Sequence, residues 1–242
     1  MLASLLFLGS CNNYRKVIYF QDLDRTTVRT EDISNYSPLL IQTEDILSIS
    51  VSSMNPEASA VFSFSSSGSS GSSGTGGSEY LVDHKGMIHF PLLGSIKVTG
   101  YTTAALRDEI QKKLLFYLKE PIVNIRVVNF KVSVIGDVSS PGVYQITNEK
   151  ITIPEVLAMA GDLNVTARRN NIILIREQNG TRKYVPVDLT KNLFKSQYYY
   201  LKNNDLIYVQ PDRSKVSSGA SKSVSILMTA ISIATLVLQI TR

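Results

Sequence analysis

Between residues 43 and 51, Leu47, Ile49 and Val51 alternate with Ser48 and Ser50, the period of a half-buried strand. Strands are also predicted at 80–82 and 87–90, around an Asp83-His84-Lys85-Gly86 turn, and at 122–130, where the alternation returns. Over 102–118 the period changes. Leu106, Ile110, Leu114 and Leu118 recur every fourth residue, which predicts a helix with one apolar face, closed by Pro121. The succession strand, strand, helix, strand then recurs. Residues 132–136 and 143–146 read as strands around Ser140-Pro141-Gly142. Thr152 and Glu155 have the spacing of a capping box with Pro154 in the first turn, and Gly161 stands where that helix must stop. Segments 172–176, 183–187 and 206–209 complete the second sheet. The helix starts, Thr102 and Thr152, lie fifty residues apart, so two related α+β units in tandem are expected.

Both ends depart from this pattern. Residues 1–10 carry no charge and close on Leu8-Gly9-Ser10 before Cys11, the only cysteine. An apolar run ending in small residues before a cysteine has the form of a secretory signal and its cleavage site, and it is too short to span a bilayer. No Lys/Arg region precedes it, so the true start is expected to lie upstream or to have been trimmed. The other reading of 1–10 is a buried N-terminal helix with a core cysteine. At the far end, residues 223–241 are nineteen consecutive uncharged positions between Lys222 and Arg242. As a helix they would measure about 28 Å, near the ~30 Å of a hydrocarbon core. Ser225, Thr229, Ser232, Thr235 and Gln239 fall within about 120° on one face, with Ile226, Ala230, Ile233 and Val237 on the other. Such a stripe suits a ring of identical helices turned toward water. A single anchor, an interfacial helix and a soluble core helix are the other readings of the segment.

Two further stretches are poor in apolar periodicity. Residues 12–35 are polar and read as a tether. Residues 65–78 consist only of Ser, Gly and one Thr, a composition that cannot bury enough apolar surface to order itself, and are expected to form a mobile loop.

Composition narrows the chemistry. Twenty-five Lys and Arg against twenty Asp and Glu give a net charge of +5, dispersed along the chain and without Trp, which is no nucleic-acid footprint. His84 and His89 have no cysteine partners and cannot assemble a zinc site, so neither metal nor cofactor is expected. Asp83 and Asp137 follow strands and precede turns, where carboxylates bind backbone amides; nothing marks a sugar-cleaving pair. The Gly/Ser segments 139–142 and 74–77 lead into no helix with a lysine, which excludes a phosphate loop. Tyr198, Tyr199 and Tyr200 either stack on sugar rings or pack as strand residues on a half-buried sheet. No catalytic residue is assigned.

Several short motifs carry a family resemblance. Thr43-Glu44-Asp45-Ile46-Leu47, Val82-Asp83-His84-Lys85-Gly86-Met87-Ile88, Pro91-Leu92-Leu93-Gly94 and Val98-Thr99-Gly100-Tyr101-Thr102 make 41–128 similar to a polysaccharide export domain. Val134-Ile135-Gly136-Asp137-Val138, Pro141-Gly142-Val143-Tyr144 and Ala158-Met159-Ala160-Gly161 make 131–211 similar to a soluble-ligand-binding β-grasp (SLBB) domain. Leu8-Gly9-Ser10-Cys11 resembles a lipobox. With the terminal helix, the chain resembles the Wza-type outer-membrane polysaccharide export lipoproteins, departing from them in having one evident SLBB domain and the Ser/Gly insertion.

The resemblance implies an α+β chain of tandem β-grasp-like domains followed by a C-terminal amphipathic transmembrane helix. Its expected parts are a signal peptide (1–10), a tether (11–35), an export domain (36–129), an SLBB domain (130–212), a linker (213–222) and the membrane helix (223–241). It further implies lipidation at Cys11 and outer-membrane anchorage with the folded domains in the periplasm. Asn12 after the cysteine agrees with that sorting. The subunits would form a homo-oligomeric ring whose terminal helices, lined by Ser225, Thr229, Ser232, Thr235 and Gln239, let capsular polysaccharide or exopolysaccharide cross the outer membrane. The ring would dock on an inner-membrane co-polymerase. The alternative is a lipid-anchored β-grasp module that binds a soluble ligand and uses the terminal helix as a second anchor.

Overall fold

The computed structural model of the protein describes residues 17–62, 77–178 and 180–212. Cys11, the terminal segment 223–241 with its polar stripe, and all but Gly77 and Ser78 of the insertion lie outside them. Among the described residues no helix is long and apolar enough to cross a membrane.

The chain is α+β with two hydrophobic cores, each built on its own sheet. In the first unit β1 (Ile46–Ser52) is central, flanked by β2 (Ser78–Leu81) and β5 (Ile122–Val127), all antiparallel. Its alternation places Leu47, Ile49 and Val51 inward, where they meet Leu106, Ile110 and Leu114 of α2 (Thr103–Leu114). Thr102 caps that helix by accepting from the Ala105 amide. A one-turn helix, α1 (Pro56–Ala60), is started by the Asn55 side chain, which accepts from the amides of Glu57 and Ala58.

The predicted pair of strands around Asp83 proves to be two elements of different sheets. β2 pairs with β1, whereas β3 (Met87–Phe90) pairs with β4 (Gly94–Lys97), a strand the hydropathy pattern had not shown. The Asp83 carboxylate makes the turn by accepting from the Lys85 and Met87 amides, and the Asp83 amide donates to the Met87 carbonyl. Ser78, expected to close the mobile loop, instead opens β2 and is buried.

The second unit is a five-stranded mixed sheet in the order β7-β6-β10-β8-β9. Its strands are β6 (Lys131–Gly136), β7 (Gly142–Gln145), β8 (Ala167–Gln178), β9 (Thr181–Val187) and β10 (Leu206–Pro211). β6 and β10 run parallel and the other pairs antiparallel. The two units therefore differ both in the order of their elements and in their pairing, since among the described residues the first unit pairs its strands only antiparallel. Helix α3 (Ile153–Met159) starts with the predicted capping box: Thr152 Oγ1 accepts from the Glu155 amide and Glu155 Oε2 accepts from the Thr152 amide at 2.7 Å. Ile153, Val156 and Leu157 then reach the core formed by Val132, Val134, Ile172, Leu174, Ile207 and Val209.

Gly136 is required where it stands. Its φ is +101°, and a Cβ there would lie 2.0 Å from the Val209 carbonyl oxygen, to which the Asp137 amide donates at 2.9 Å. The buried Asp137 carboxylate accepts from two side chains, Asn164 Nδ2 at 2.8 Å and Thr166 Oγ1 at 2.6 Å.

The polar N-terminal stretch does not stand away from the fold. Its described part straps across the second unit, although the first unit follows it in sequence. The amides of Phe20 and Gln21 donate to the carbonyls of Leu189 and Thr190, and Asp22 Oδ2 accepts from the Asn192 amide at 2.6 Å. Tyr19 donates its hydroxyl to Asp162, and its ring lies 5.2 Å from the buried Arg169 guanidinium. Burial, reinforced by Asp162, pushes the Tyr19 phenol well above its usual range. Asn35 ends the strap by donating to the carbonyls of Phe194 and Ser196.

Candidate functional site

The two units meet along a junction assembled from the start of β1, the 129–131 link and the loop before β10. Asn129 holds β1 from outside the strand: its Oδ1 accepts from the Ile46 amide and its Nδ2 donates to the Glu44 carbonyl. Asp45 is buried beside them. One carboxylate oxygen closes its own turn on the Gln42 amide at 2.8 Å, and the other accepts from Asn203 Nδ2 at 2.7 Å. Burial without a cation raises the Asp45 pKa, and the two hydrogen bonds pull against that rise.

A second contact spans the units at the N-terminus of α2. Thr103 Oγ1 donates to Glu149 Oε1 at 2.6 Å, so the second unit supplies the carboxylate that the first turn of α2 lacks. Tyr36 meets Tyr200 edge to face at 5.2 Å, and the Lys150 ammonium lies 5.8 Å from the Tyr36 ring centre. Tyr198 and Tyr199 lie outside the strands, and Tyr200 forms an isolated antiparallel bridge with Thr152. Tyr198 covers the Arg176 guanidinium, and Tyr199 packs on Phe194.

Beneath that loop Arg176 and Asp205 form a buried, two-pronged ion pair, Nε to Oδ1 at 2.8 Å and Nη2 to Oδ2 at 2.6 Å. Burial pushes the Asp205 pKa up while Arg176 draws it down. The Lys202 amide also donates to Asp205 Oδ2, which ties the turn before β10 to β8.

Between these contacts opens a cleft of about 800 Å³. Its first-unit wall comprises the start of α2, with Arg107, and β5, with Asn124 and Arg126; β5 is the edge of its sheet. Its second-unit wall includes Thr147, Asn148 and Glu149, and Tyr36 and Pro38 close one side. A smaller hollow of about 340 Å³ lies under the strap between Phe20 and the α3 residues Pro154, Leu157 and Ala158.

The residues assigned to lipidation and to a pore from sequence lie outside the described part of the chain. His89 Nδ1 lies 2.9 Å from Ser95 Oγ, and among the described residues no group of three or more His, Cys, Asp or Glu is placed to hold a metal ion. Hydropathy had not indicated Asp45, Asn203, Thr103 with Glu149, or Arg126. Only the family motif 43–47 had touched one of them, Asp45.

Comparison with known proteins follows the same division. Residues 34–128 match the polysaccharide biosynthesis/export protein family, and residues 130–209 match the SLBB domain, so Asn129, which pins the junction, falls between the two. The chain is 33% identical over 144 residues to the EPS I polysaccharide export outer membrane protein EpsA of Ralstonia solanacearum, covering 57% of this chain and 37% of that protein. It is 36% identical over 148 residues to the protein of the same name from Ralstonia nicotianae, covering 58% and 39%. The chain thus spans about two fifths of the length of these curated relatives. These are export proteins and not enzymes. An export domain at 34–128 thus runs directly into an SLBB domain at 130–209, the succession that the short sequence motifs had led one to expect.

Proposed function

We propose that the protein is a subunit of an outer-membrane channel for capsular polysaccharide or exopolysaccharide. In this reading Cys11 carries the lipid, the two described units stand in the periplasm as a layer of a homo-oligomeric ring, and the 223–241 segments assemble into a helical barrel. Ser225, Thr229, Ser232, Thr235 and Gln239 line its lumen. An inner-membrane co-polymerase delivers the chain from below. The observation that carries the reading is the succession of export and SLBB domains, taken together with the similarity of the chain to proteins named as polysaccharide export outer membrane proteins. The polar stripe at 225–239 supports the barrel, since lipid on all sides would leave those hydroxyls and the amide to bond only within their own helix.

The experiment is electron microscopy of the detergent-extracted protein, combined with single cysteines in the terminal segment. Closed rings are expected, with Ser232→Cys and Thr229→Cys open to a membrane-impermeant thiol reagent and Ile233→Cys closed to it. Fatty-acid labelling lost in Cys11→Ser checks the anchor. Monomers without a reactive face favour the second reading, a lipid-anchored ligand-binding module, for which the cleft is the supporting feature.

A further inference from the structure

We infer that the cleft between the two units is a subsite for an acid-substituted glycan, a stretch of sugar bearing carboxylates, which rests on the export reading for its polysaccharide. The volume, about 800 Å³, suits a short oligosaccharide and falls within the range of built ligand sites. The lining decides the chemistry. The Arg126 side chain has no hydrogen-bond or ion-pair partner among the described residues, and Arg107 engages Asp108 through Nε alone, leaving both terminal nitrogens uncommitted among them. A guanidinium fork matches a carboxylate bidentately. The acid in the lining, Glu149, is already held by Thr103 at 2.6 Å. Asn124 and Asn148 present side-chain amides without partners among the described residues, the donor and acceptor pair that sugar hydroxyls need. Tyr36 adds a ring whose apolar body can lie against a sugar face. Because the walls belong to different units, a bound glycan touches both.

The test is calorimetric titration of the detergent-solubilised full chain with tetragalacturonate, maltotetraose and inorganic phosphate at low salt. Tetragalacturonate is expected to bind, with maltotetraose about tenfold weaker and phosphate unable to displace it. Arg126→Gln and Arg107→Gln should each weaken tetragalacturonate about tenfold without moving the melting temperature, while Arg126→Lys retains part of the affinity. Three results would overturn the inference: no binding of tetragalacturonate, equal affinity for the neutral sugar, or affinity within about twofold in Arg126→Gln. The readouts separate the two readings. A protein that forms rings but ignores tetragalacturonate keeps the export role and loses the subsite; one that binds it as a monomer does the reverse.

Discussion

Asp45 Oδ1 accepts a hydrogen bond from Asn203 Nδ2 at 2.7 Å across 158 residues of chain, with both side chains buried where the two units join. The Asn203 amide cannot turn over, because its Oδ1 already accepts from the Lys131 amide at 3.0 Å. Asp45 must therefore offer acceptors on both oxygens, one to Asn203 and one to the Gln42 amide. Asp45→Asn puts an N–H against one of these donors and should cost about 1–3 kcal/mol of stability, read by denaturant unfolding. A change below about 0.5 kcal/mol would show that the junction does not depend on this bond.

Carboxylates in the first unit titrate in opposite directions. Accepting the Met87 and Lys85 amides holds the Asp83 pKa below its ordinary value. Its contribution to stability is present above the ordinary carboxylate value and is lost as pH falls through the lowered one. The stability gap between the wild type and Asp83→Asn should therefore shrink on acidification through that window. Asp45, raised by burial, has the opposite sign: its contribution is greatest when protonated and declines as pH rises from the ordinary value through the raised one. A gap for Asp83→Asn that widens in acid would contradict the assigned role of its amide bonds.

The strap should loosen when its aromatic anchor loses its hydroxyl. Tyr19→Phe removes the donor to Asp162 while keeping the ring over Arg169. A loss of about 1 kcal/mol is expected, with faster hydrogen exchange at the Phe20 and Gln21 amides, which bond Leu189 and Thr190. Unchanged exchange at those two amides would mean that the backbone pairing holds the strap without Tyr19.

Gly136→Ala tests the parallel pair β6 and β10. The added Cβ meets a backbone carbonyl 2.0 Å away, which no side-chain rotation relieves, at a φ of +101°. A loss of about 3 kcal/mol or more is expected in thermal or denaturant unfolding. A variant within about 1 kcal/mol of the wild type would show that β10 can shift at little cost.

The sequence alone determined what depends on near neighbours. The inward residues of β1, the apolar face of α2 and the reciprocal cap of Thr152 and Glu155 follow from a side chain's direction and reach within a turn or two of chain. Short motifs likewise carried the division into an export and an SLBB region. Only the tertiary structure decided which strands pair. Nothing in the composition of β2 or β3 says that one joins β1 and the other β4, because each period of two is satisfied by any partner that covers the same face. The strap and the junction were illegible for a different reason. Tyr19, Asp45 and Asn203 are isolated polar or amphipathic residues that no hydrophobic period marks, and their contacts depend on the closure of loops many residues long. Hydrophobic spacing fixes which face of an element is buried, whereas polar contacts between units arise only after both cores have placed their surfaces side by side.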